Sequence, residues 1–347
     1  MSSSPKEPDQ PTSKDEGGNI LVIRLKSLGD VLFTLPAVRH LRASRPGARI
    51  SFLVSRENAE LIEGFRDVDQ TLVLDRAAYR RGNPLAILRQ TWSLLSRFRR
   101  ERFTLAVDFQ GYGETALLTW CTRAPQRWGT VYQPTRAWAY TRPVVLRRGL
   151  HPADWNLALL HEGGLAPGEI RNDFVLPETP LAEARRFLAA QQLDPARPLM
   201  FIQPFTSTPK KNWPLANLVA LAGHWKSRGV QVLFGGGPGE QEALAPVREA
   251  GYPVSAGVPL LVTAGLMKLS TVVVGGDTGM PHLAMAMGKR VVMIMASARK
   301  GTTHPYRHAD WAVVPPVDDR IITHIPTDSV IQACAAAFRE VDARVRV

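Results

Sequence analysis

A glycine-containing turn near the start of the chain carries the residue best suited to act as a base. The turn, residues 26–30 with the sequence KSLGD, follows an apolar run and precedes a helical pattern. Gly29 permits a tight turn close to a ligand, and Asp30 falls where the helix begins. The Asp30 carboxylate could therefore take a proton from a substrate hydroxyl, as a general base does. Aspartate is also a favoured first residue of a helix, so a purely structural role is compatible with the same spacing.

A second turn, residues 274–282 with the sequence VGGDTGMPH, has the composition of an anion site. Pro281 would lie in the first helical turn, where its missing N–H costs nothing. The free amides at this helix start, together with the Thr278 hydroxyl, would suit a diphosphate. His282 on the same turn could reach a sugar hydroxyl. A well-capped helix with a histidine on its surface explains the pattern equally well.

Two further loops offer groups for a nucleotide. Residues 205–214, FTSTPKKNWP, place hydroxyls next to lysines, which can bind phosphate oxygens. Residues 235–242, GGGPGEQE, lack both the third glycine of G-x-G-x-x-G and the end of a P-loop, so neither dinucleotide binding nor ATP hydrolysis is indicated. Glu240 or Glu242 could accept hydrogen bonds from a ribose. Solvated lysines and an ordinary tight loop are the structural alternatives.

Short apolar runs alternate with helical patterns along the whole chain, which predicts strands separated by helices and hence parallel sheets. No metalloprotease, α/β-hydrolase or calcium-sensor pattern appears, so no metal site is expected. In parallel sheets, ligands bind beyond the carboxyl ends of the strands, where the turns above fall. The predicted strands are residues 20–25, 50–54, 71–74, 105–108, 199–202, 230–234, 272–274 and 291–294, and the predicted helices include 31–44, 84–102, 214–228, 240–250, 280–287 and 328–344.

The length of 347 residues favours two domains, because a single hydrophobic core stops growing at about 250 to 300 residues. Residues 1–18 are polar and rich in Ser, Pro and charged side chains, which predicts a disordered tail. A Pro-rich stretch precedes the point where the strand–helix alternation restarts. We therefore predict an N-terminal domain at 19–195 and a C-terminal domain at 196–347, both α/β and doubly wound in the Rossmann-like manner.

The formal net charge of +12 is concentrated in one segment of the chain. Residues 76–148 hold 14 arginines against three acids, Glu101, Asp108 and Glu114. Such a block predicts an anionic partner, which could be a phosphate-bearing lipid, nucleic acid or an acidic glycan, or else it is a solvated basic surface. Two cysteines, no secretory signal and no apolar run of membrane-spanning length together favour a cytoplasmic protein.

The predicted helix 84–102 has an apolar stripe bordered by arginines. The stripe could pack into the core, or its basic side could help the protein to dock on an anionic membrane. The apolar residues are Leu85, Leu88, Trp92, Leu95 and Phe98, and the arginines are 89, 97, 99, 100 and 102.

Taken in order, these segments resemble the ADP-heptose:lipopolysaccharide heptosyltransferases, family nine of the glycosyltransferases, whose fold is called GT-B. The resemblance covers about residues 20–344. It is carried by IRLKSLGD at 23–30, KNWP at 211–214, GDTG at 276–279 with His282, DFQG at 108–111, and Leu32, Leu35 and Pro36.

The resemblance implies a cleft between two facing domains, with Asp30 as the general base for an acceptor hydroxyl. It also implies inverting transfer from a nucleotide-sugar, without a bound metal or other cofactor, to a lipopolysaccharide-type glycan or glycolipid. A base on one domain would face a leaving diphosphate stabilised by a lysine and a helix N-terminus on the other. The implied donor-site residues are Thr206, Ser207 and Lys211 for the phosphates, Glu240 for the ribose, Thr278 and Gly279 for the diphosphate, and Asp277 and His282 for the sugar; Lys26, Gly29 and Gln110 are implied on the acceptor side.

Two observations keep other functions open. Pro209 and Lys210 stand where the best-known family members tend to carry acidic residues, which leaves the donor base and sugar undetermined. A nucleotide-sugar 2-epimerase-like enzyme would share the architecture. A non-catalytic basic protein that binds anionic membrane or nucleic acid is the alternative of another class. No nucleic-acid-binding motif accompanies the arginines, so no nucleic-acid partner is expected.

Overall fold

The computed structural model describes residues 17–345, apart from 77–81, 83, 146–148, 300 and 318. Most of the predicted tail at 1–18 therefore lies outside the described residues, as do four arginines of the basic segment, Arg80, Arg81, Arg147 and Arg148. No helix within the described ranges is long and apolar enough to cross a membrane.

The first half of the chain forms a six-stranded parallel sheet in the order β3-β2-β1-β4-β5-β6. The central strand β1 is buried on both faces, as expected of a sheet covered by helices. The strands are β1 Asn19–Ile23, β2 Arg49–Ser55, β3 Gln70–Leu74, β4 Leu105–Asp108, β5 Gln126–Val131 and β6 Arg142–Val145. The helices are α1 Leu28–Leu32, α2 Leu35–Ser44, α3 Pro84–Glu101, α4 Gly113–Cys121 and α5 Pro152–Gly163.

The predicted single helix at 31–44 is wrong, because the chain forms two helices, α1 and α2, with a break between them. Pro36 has no N–H to donate to a carbonyl four residues earlier, so a continuous helix is interrupted here. The Phe33 carbonyl instead accepts a hydrogen bond of 2.8 Å from Asn156 on α5. The first of the two helices, α1, also begins earlier than the predicted helix, so that Asp30 lies inside α1.

The second half forms a second parallel sheet in the matching order β12-β11-β10-β7-β8-β9. Its strands are β7 Leu199–Gln203, β8 Gln231–Gly236, β9 Val254–Ala256, β10 Val272–Gly276, β11 Arg290–Ile294 and β12 Ala312–Val313. Its helices are α6 Glu178–Ala190, α7 Leu215–Lys226, α8 Ala245–Glu249, α9 Leu260–Leu269, α10 Gly279–Ala286 and α11 Thr327–Val345. The predicted helix 240–250 is wrong: Pro246 lacks the N–H that such a helix needs, and only the short α8 forms.

The predicted fold class is confirmed, since both halves are doubly wound α/β layers. In each sheet the order reverses beside the first strand, at β1/β4 and β7/β10, and ligands bind at such switch points. One hydrophobic cluster runs from residues of β1 and α1 into α10 of the other half. Helix α6 packs on α9, although α6 precedes the predicted boundary at 195/196.

The connection between the halves is bonded to both of them. The N–H of Phe174 donates to the carbonyl of Ala286, the last residue of α10, at 2.8 Å. The next N–H, that of Val175, donates to the carbonyl of Gly64 in the first half at 3.1 Å. The Phe174 ring lies where a side chain at Gly64 would be, so only glycine fits there. Two adjacent amides thus tie the linker to opposite halves of the molecule.

Candidate active site

The turn after β1 lies directly against the start of α10, so the two halves meet where sequence analysis places their reactive turns. Gly29 and Gly279 face each other: a Cβ atom on Gly29 would lie 3.7 Å from Gly279 Cα. A Cβ atom on Gly279 would lie only 2.6 Å from Leu28 Cδ2. The absence of a side chain at Gly279 is therefore what allows this approach.

Asp30 is the third residue of α1 and not its first, because Ser27 occupies the N-cap position. Its Oδ2 accepts hydrogen bonds from the N–H and the hydroxyl of Ser27, both at 3.1 Å. Its Oδ1 lies 3.0 Å from a guanidinium nitrogen of Arg24. These contacts fix the orientation of the carboxylate. The side chain is nevertheless 37% exposed, so the carboxylate is also accessible to a ligand.

Arg24 follows β1 directly and orients Asp30, a contact that sequence reasoning missed. Its Nε donates to the Lys26 carbonyl at 3.1 Å, and a second nitrogen donates to the Phe109 carbonyl at 2.5 Å. These two carbonyls hold the guanidinium so that its remaining edge meets the Asp30 carboxylate. The arginine stood inside the recognised 23–30 segment, but nothing in its spacing distinguished it from a strand-end residue.

Gln110 stabilises the turn after β1 through hydrogen bonds to its backbone. Its Oε1 accepts from the backbone N–H groups of Leu25, at 2.8 Å, and Lys26, at 3.3 Å, and the side chain is buried. Asp108 in turn accepts from the N–H groups of Gln110 and Gly111. Gln110 therefore contacts the backbone of the 26–30 turn, and Lys26, itself partly buried, takes part through its N–H and its carbonyl.

The Asp108 carboxyl is fully buried behind this turn and also accepts the Tyr140 hydroxyl at 2.8 Å. Burial raises the pKa of Asp108, and hydrogen bonds from its neighbours oppose the rise only in part. Burial likewise raises the pKa of Tyr140. The pair braces β4 against the segment that follows β5.

Two tyrosines lie beside the Arg24–Asp30 pair at the carboxyl ends of β4 and β5. Tyr112 and Tyr132 are 46% and 45% exposed, and their ring centroids are 5.9 Å apart. Burial raises the pKa of Tyr132, while its hydrogen bond with Arg24 and the charge of Arg24 lower it. The two rings offer an exposed aromatic surface next to the carboxylate.

Across the contact, Asp277 follows β10 and gathers three polar groups. Its Oδ2 lies 2.6 Å from Lys211 Nζ, and its Oδ1 accepts the Thr303 hydroxyl at 2.7 Å. The Nε2 of His282 lies 3.8 Å from Oδ1, beyond hydrogen-bond length. Burial favours the neutral acid, but His282, Lys211 and Thr303 outweigh it and hold the pKa of Asp277 well below its usual value. The carboxylate stays ionised and can accept hydrogen bonds.

His282 is buried on the first turn of α10 and packs its ring edge-to-face on Phe33, with centroids 4.8 Å apart. Across the described part of the chain, neither of its ring nitrogens has a hydrogen-bond partner. Buried polar atoms are nearly always paired, so these nitrogens are suited to a ligand hydroxyl. Phe33 comes from the first half, which makes this ring part of the contact between the domains.

The loop after β7 completes a cavity of about 330 Å³ beside Asp277. Its lining residues are Lys211, Asp277, Met295, Ala296, Ser297, Gly301, Thr302, Thr303 and Ile322. Thr206 is held by Asn212, whose Oδ1 accepts from its N–H at 2.8 Å and its hydroxyl at 2.9 Å. Ser207 in the same loop is exposed. Thr303 also lies at this site, although sequence analysis did not predict it. The segment after β11 contains hydroxyl residues but no recognisable motif that would have indicated this role.

The remaining predicted residues of the second half do not line this cavity. Thr278 is the N-cap residue of α10 in extended conformation, and its side chain makes no cap hydrogen bond. Glu240 lies at the carboxyl end of β8, two strands from β10, and its Oε2 accepts the Gly237 N–H at 2.7 Å. Within the described ranges, no group of three or more His, Cys, Asp or Glu side chains lies together as a metal site.

A second bridge between the halves lies near Phe33. His151, the N-cap of α5, accepts the Ala153 N–H through Nδ1, and its Nε2 lies 3.1 Å from the His304 carbonyl. The Tyr306 hydroxyl donates to Asp154 at 2.8 Å. Burial, first of all, and the neighbouring His304 lower the pKa of His151 to about 4. A neutral histidine therefore donates its Nε2 proton across the domain contact.

Comparisons with known proteins give matches over most of the chain. The sequence profile of glycosyltransferase family 9 (heptosyltransferase) matches residues 91–317, well over half of the chain. Lipopolysaccharide heptosyltransferase 1 of Pseudomonas aeruginosa is 25% identical over 296 residues, which is 83% of this chain and 81% of that protein.

Solved structures resemble the fold over nearly the whole chain. A family 9 glycosyl transferase from Veillonella parvula superposes with a TM-score of 0.82 and 20% identity, covering 93% of this chain and 97% of that one. An Escherichia coli heptosyltransferase with ADP-2-deoxy-2-fluoro heptose superposes with a TM-score of 0.73 and 21% identity, covering 92% and 99%.

Proposed function

This chain belongs to glycosyltransferase family 9, the heptosyltransferase family, and from that premise we propose that it transfers heptose from ADP-heptose to a lipopolysaccharide-type acceptor. The observation that carries the proposal is the contact of Gly29 with Gly279, which places the turn of an accessible carboxylate on one domain against the start of α10 on the other, two residues from Asp277. An acceptor bound to one domain and a sugar donor bound to the other would meet in such an interdomain position.

On the donor side, Lys211, Thr206 and Ser207 bind the phosphates, and the N-terminus of α10 at Thr278 and Gly279 receives the diphosphate. A helix start and a lysine stabilise the charge that develops on the departing ADP. In support, Lys211 already neutralises a carboxylate at 2.6 Å, so its ammonium group reaches the cavity. Glu240 contacts the ribose from the carboxyl end of β8.

The sugar is oriented by Asp277 and His282. The ionised Asp277 carboxylate accepts from a sugar hydroxyl, and the unpartnered His282 nitrogens pair with another. Both residues are largely buried, so a bound hydroxyl would find little competing water.

On the acceptor side, Asp30 accepts the proton of the attacking acceptor hydroxyl. The oxygen of that hydroxyl bonds to the anomeric carbon while the bond from the anomeric carbon to the ADP oxygen breaks. This single displacement inverts the anomeric configuration, and the ADP leaves with the bonding electron pair. Arg24 and Ser27 keep the Asp30 carboxylate in one orientation, which lowers the entropic cost of reaching the reactive geometry. Gly29 leaves room at the contact, Gln110 and the Lys26 amide fix the turn, and the Tyr112 and Tyr132 rings provide a stacking surface for the acceptor sugar.

The proposed enzyme needs no bound metal and no cofactor besides its nucleotide-sugar donor, since Lys211 and the helix amides supply the positive charge. It works in the cytoplasm, peripherally at the inner face of a membrane that presents the glycolipid acceptor. Nucleic acid is not among its partners.

A donor screen followed by a transfer assay tests the proposal. Calorimetry of the purified protein with ADP-, UDP-, GDP- and dTDP-sugars should show selective binding of ADP-heptose, and addition of a heptose-free lipopolysaccharide core should yield ADP and a heptosylated product. Isomerisation of a free UDP-sugar without acceptor would instead favour an epimerase-like enzyme. Absence of nucleotide binding would leave only the non-catalytic alternative.

A further inference from the structure

Three tryptophans are exposed on one side of the first domain. Trp92 on α3 is 66% exposed, Trp120 on α4 is 51% exposed, and Trp138 in the turn after β5 is 55% exposed. The rings of Trp120 and Trp138 touch edge-to-face with centroids 5.8 Å apart. A large aromatic side chain is seldom left this exposed, and three together indicate a surface with a partner.

The exposed residues continue along α3. Its predicted apolar stripe divides in two, because Phe98 is buried whereas Leu88 is 65% exposed beside Trp92. Leu95, one turn further on, lines a groove of about 410 Å³ together with Arg99 and Trp120. We call Leu88, Trp92, Leu117, Trp120 and Trp138 the tryptophan face, Leu117 being 50% exposed one turn before Trp120.

Arginines surround the tryptophan face, and the acids near it are already paired. The exposed arginines are Arg89, Arg99, Arg100 and Arg123. Glu101 lies 3.6 Å from Arg49 and 3.8 Å from Arg97, and its side chain is only 16% exposed. Glu114 pairs with Arg76 at 3.3 Å. The face therefore presents apolar rings within a positive field.

This combination fits one kind of partner. Tryptophan, with an apolar body and a polar N–H, favours the headgroup boundary of a bilayer, and arginines attract anionic lipids. A second copy of the chain would place arginines against arginines, and nucleic acid would leave the leucines without an apolar contact. We propose that the tryptophan face docks this protein on an anionic membrane, a surface role that rests on the proposed function because a lipid-linked acceptor must be reached there.

Co-sedimentation of the full chain with vesicles tests the docking. Vesicles of phosphatidylcholine with phosphatidylglycerol should bind it, and phosphatidylcholine alone should bind it far less. Each arginine near an anionic surface strengthens binding roughly fivefold, so the triple variant R99Q/R100Q/R123Q should bind on the order of 100-fold more weakly. The charge-matched control R185Q/R186Q/R197Q, on exposed arginines of the second half, should bind like the parent protein.

A second variant, W92S/W120S, removes the aromatic contribution without changing charge and should also weaken binding. Both variants should retain calorimetric ADP-heptose binding and transfer to a soluble core fragment, which separates docking from catalysis. Vesicle binding that survives the arginine changes, falls equally in the control, or is missing in the parent protein would overturn the docking. So would a concentration-dependent dimer that W92S/W120S abolishes, since a second copy would then cover the face. Loss of ADP-heptose binding in the parent protein would instead overturn the proposed function.

Discussion

Replacing Gly279 by alanine should test whether the closeness of α1 and α10 sets the rate of transfer. The new Cβ atom would lie 2.6 Å from Leu28 Cδ2, 2.8 Å from Cγ and 3.0 Å from Cβ. Rotation of the Leu28 side chain cannot move its own Cβ atom, so α1 and α10 must separate, by about 1 Å if ordinary contact is to be restored. Gly279 has an ordinary backbone conformation, so no backbone strain accompanies the change.

A displacement of about 1 Å between base and donor lowers catalysis on the order of 100-fold. We therefore expect G279A to lower kcat/KM for ADP-heptose transfer by about that factor while the backbone N–H at this position keeps binding the diphosphate, so that calorimetric ADP affinity changes little. Steady-state kinetics with a soluble acceptor measures the first quantity. A loss of stability of about 1 to 3 kcal/mol from overpacking can be followed separately by denaturant unfolding.

The facing glycine provides a matched control. At Gly29 the added methyl group would meet its nearest neighbour at 3.7 Å, an ordinary contact, so G29A should retain most activity. L28A removes the Cγ and Cδ2 atoms and leaves only the contact at 3.0 Å, so the double variant should recover part of the activity that G279A loses, a coupling that independent sites do not show. Equal effects of G29A and G279A, or a double variant no better than G279A, would refute this account of the contact.

Three other predictions concern single groups. Asp30→Asn should lower turnover by roughly 10²- to 10⁴-fold with ADP-heptose affinity intact, and unchanged turnover in the folded variant would leave Asp30 only its structural contacts with Ser27 and Arg24. Lys211→Ala should weaken ADP binding far more than adenosine binding, because the ammonium group acts on phosphate charge; equal calorimetric losses for both would place Lys211 outside the phosphate site. For His151, the unfolded chain binds a proton below the ordinary pKa of 6.5 whereas the folded protein resists it down to about 4, so the free energy of unfolding should fall as the pH drops through that window. His151→Asn should flatten the pH dependence, and an identical slope in variant and parent would contradict the assignment.

The alternation of apolar runs and helical patterns was enough to predict the fold class, because parallel strands buried on both faces are apolar throughout. Three of the elements it missed do not have that pattern. Strand β6, Arg142–Val145, is an edge strand with exposed side chains and a proline, and β9 has only three residues. Helix α9 is almost entirely buried, so it shows no polar face to set a helical period.

Sequence reasoning placed the candidate turns after parallel strands but did not predict the contacts within them. The positions of Asp30, Asp277 and His282 after strands of parallel sheets follow from topology, which a sequence pattern reveals. The partners of these residues do not follow from topology. Arg24 contacts Asp30 from the same strand-to-helix turn, whereas Thr303 contacts Asp277 from 26 residues away, in the loop after β11. The buried position of Gln110 beneath the Leu25 and Lys26 amides likewise depends on the three-dimensional neighbourhood of β1 and β4.

The doubly bonded linker has a mechanical consequence. Helix α10 is tied to Phe174 at its last residue and meets α1 at its first, so a rotation of the second half about the linker would move the first residue of α10 farther than its last. Eight helical residues span about 12 Å, so a rotation of about 10° about the linker would carry the N-terminal end of the helix about 2 Å away from the Asp30 turn. Two amide hydrogen bonds hold the axis in place during such a swing, and the bending falls to the backbone on either side of residues 174–175. A glycine inserted on either flank should change the rate of product release, whereas one inserted between the two amides should break one of the two bonds and loosen the linker from one half.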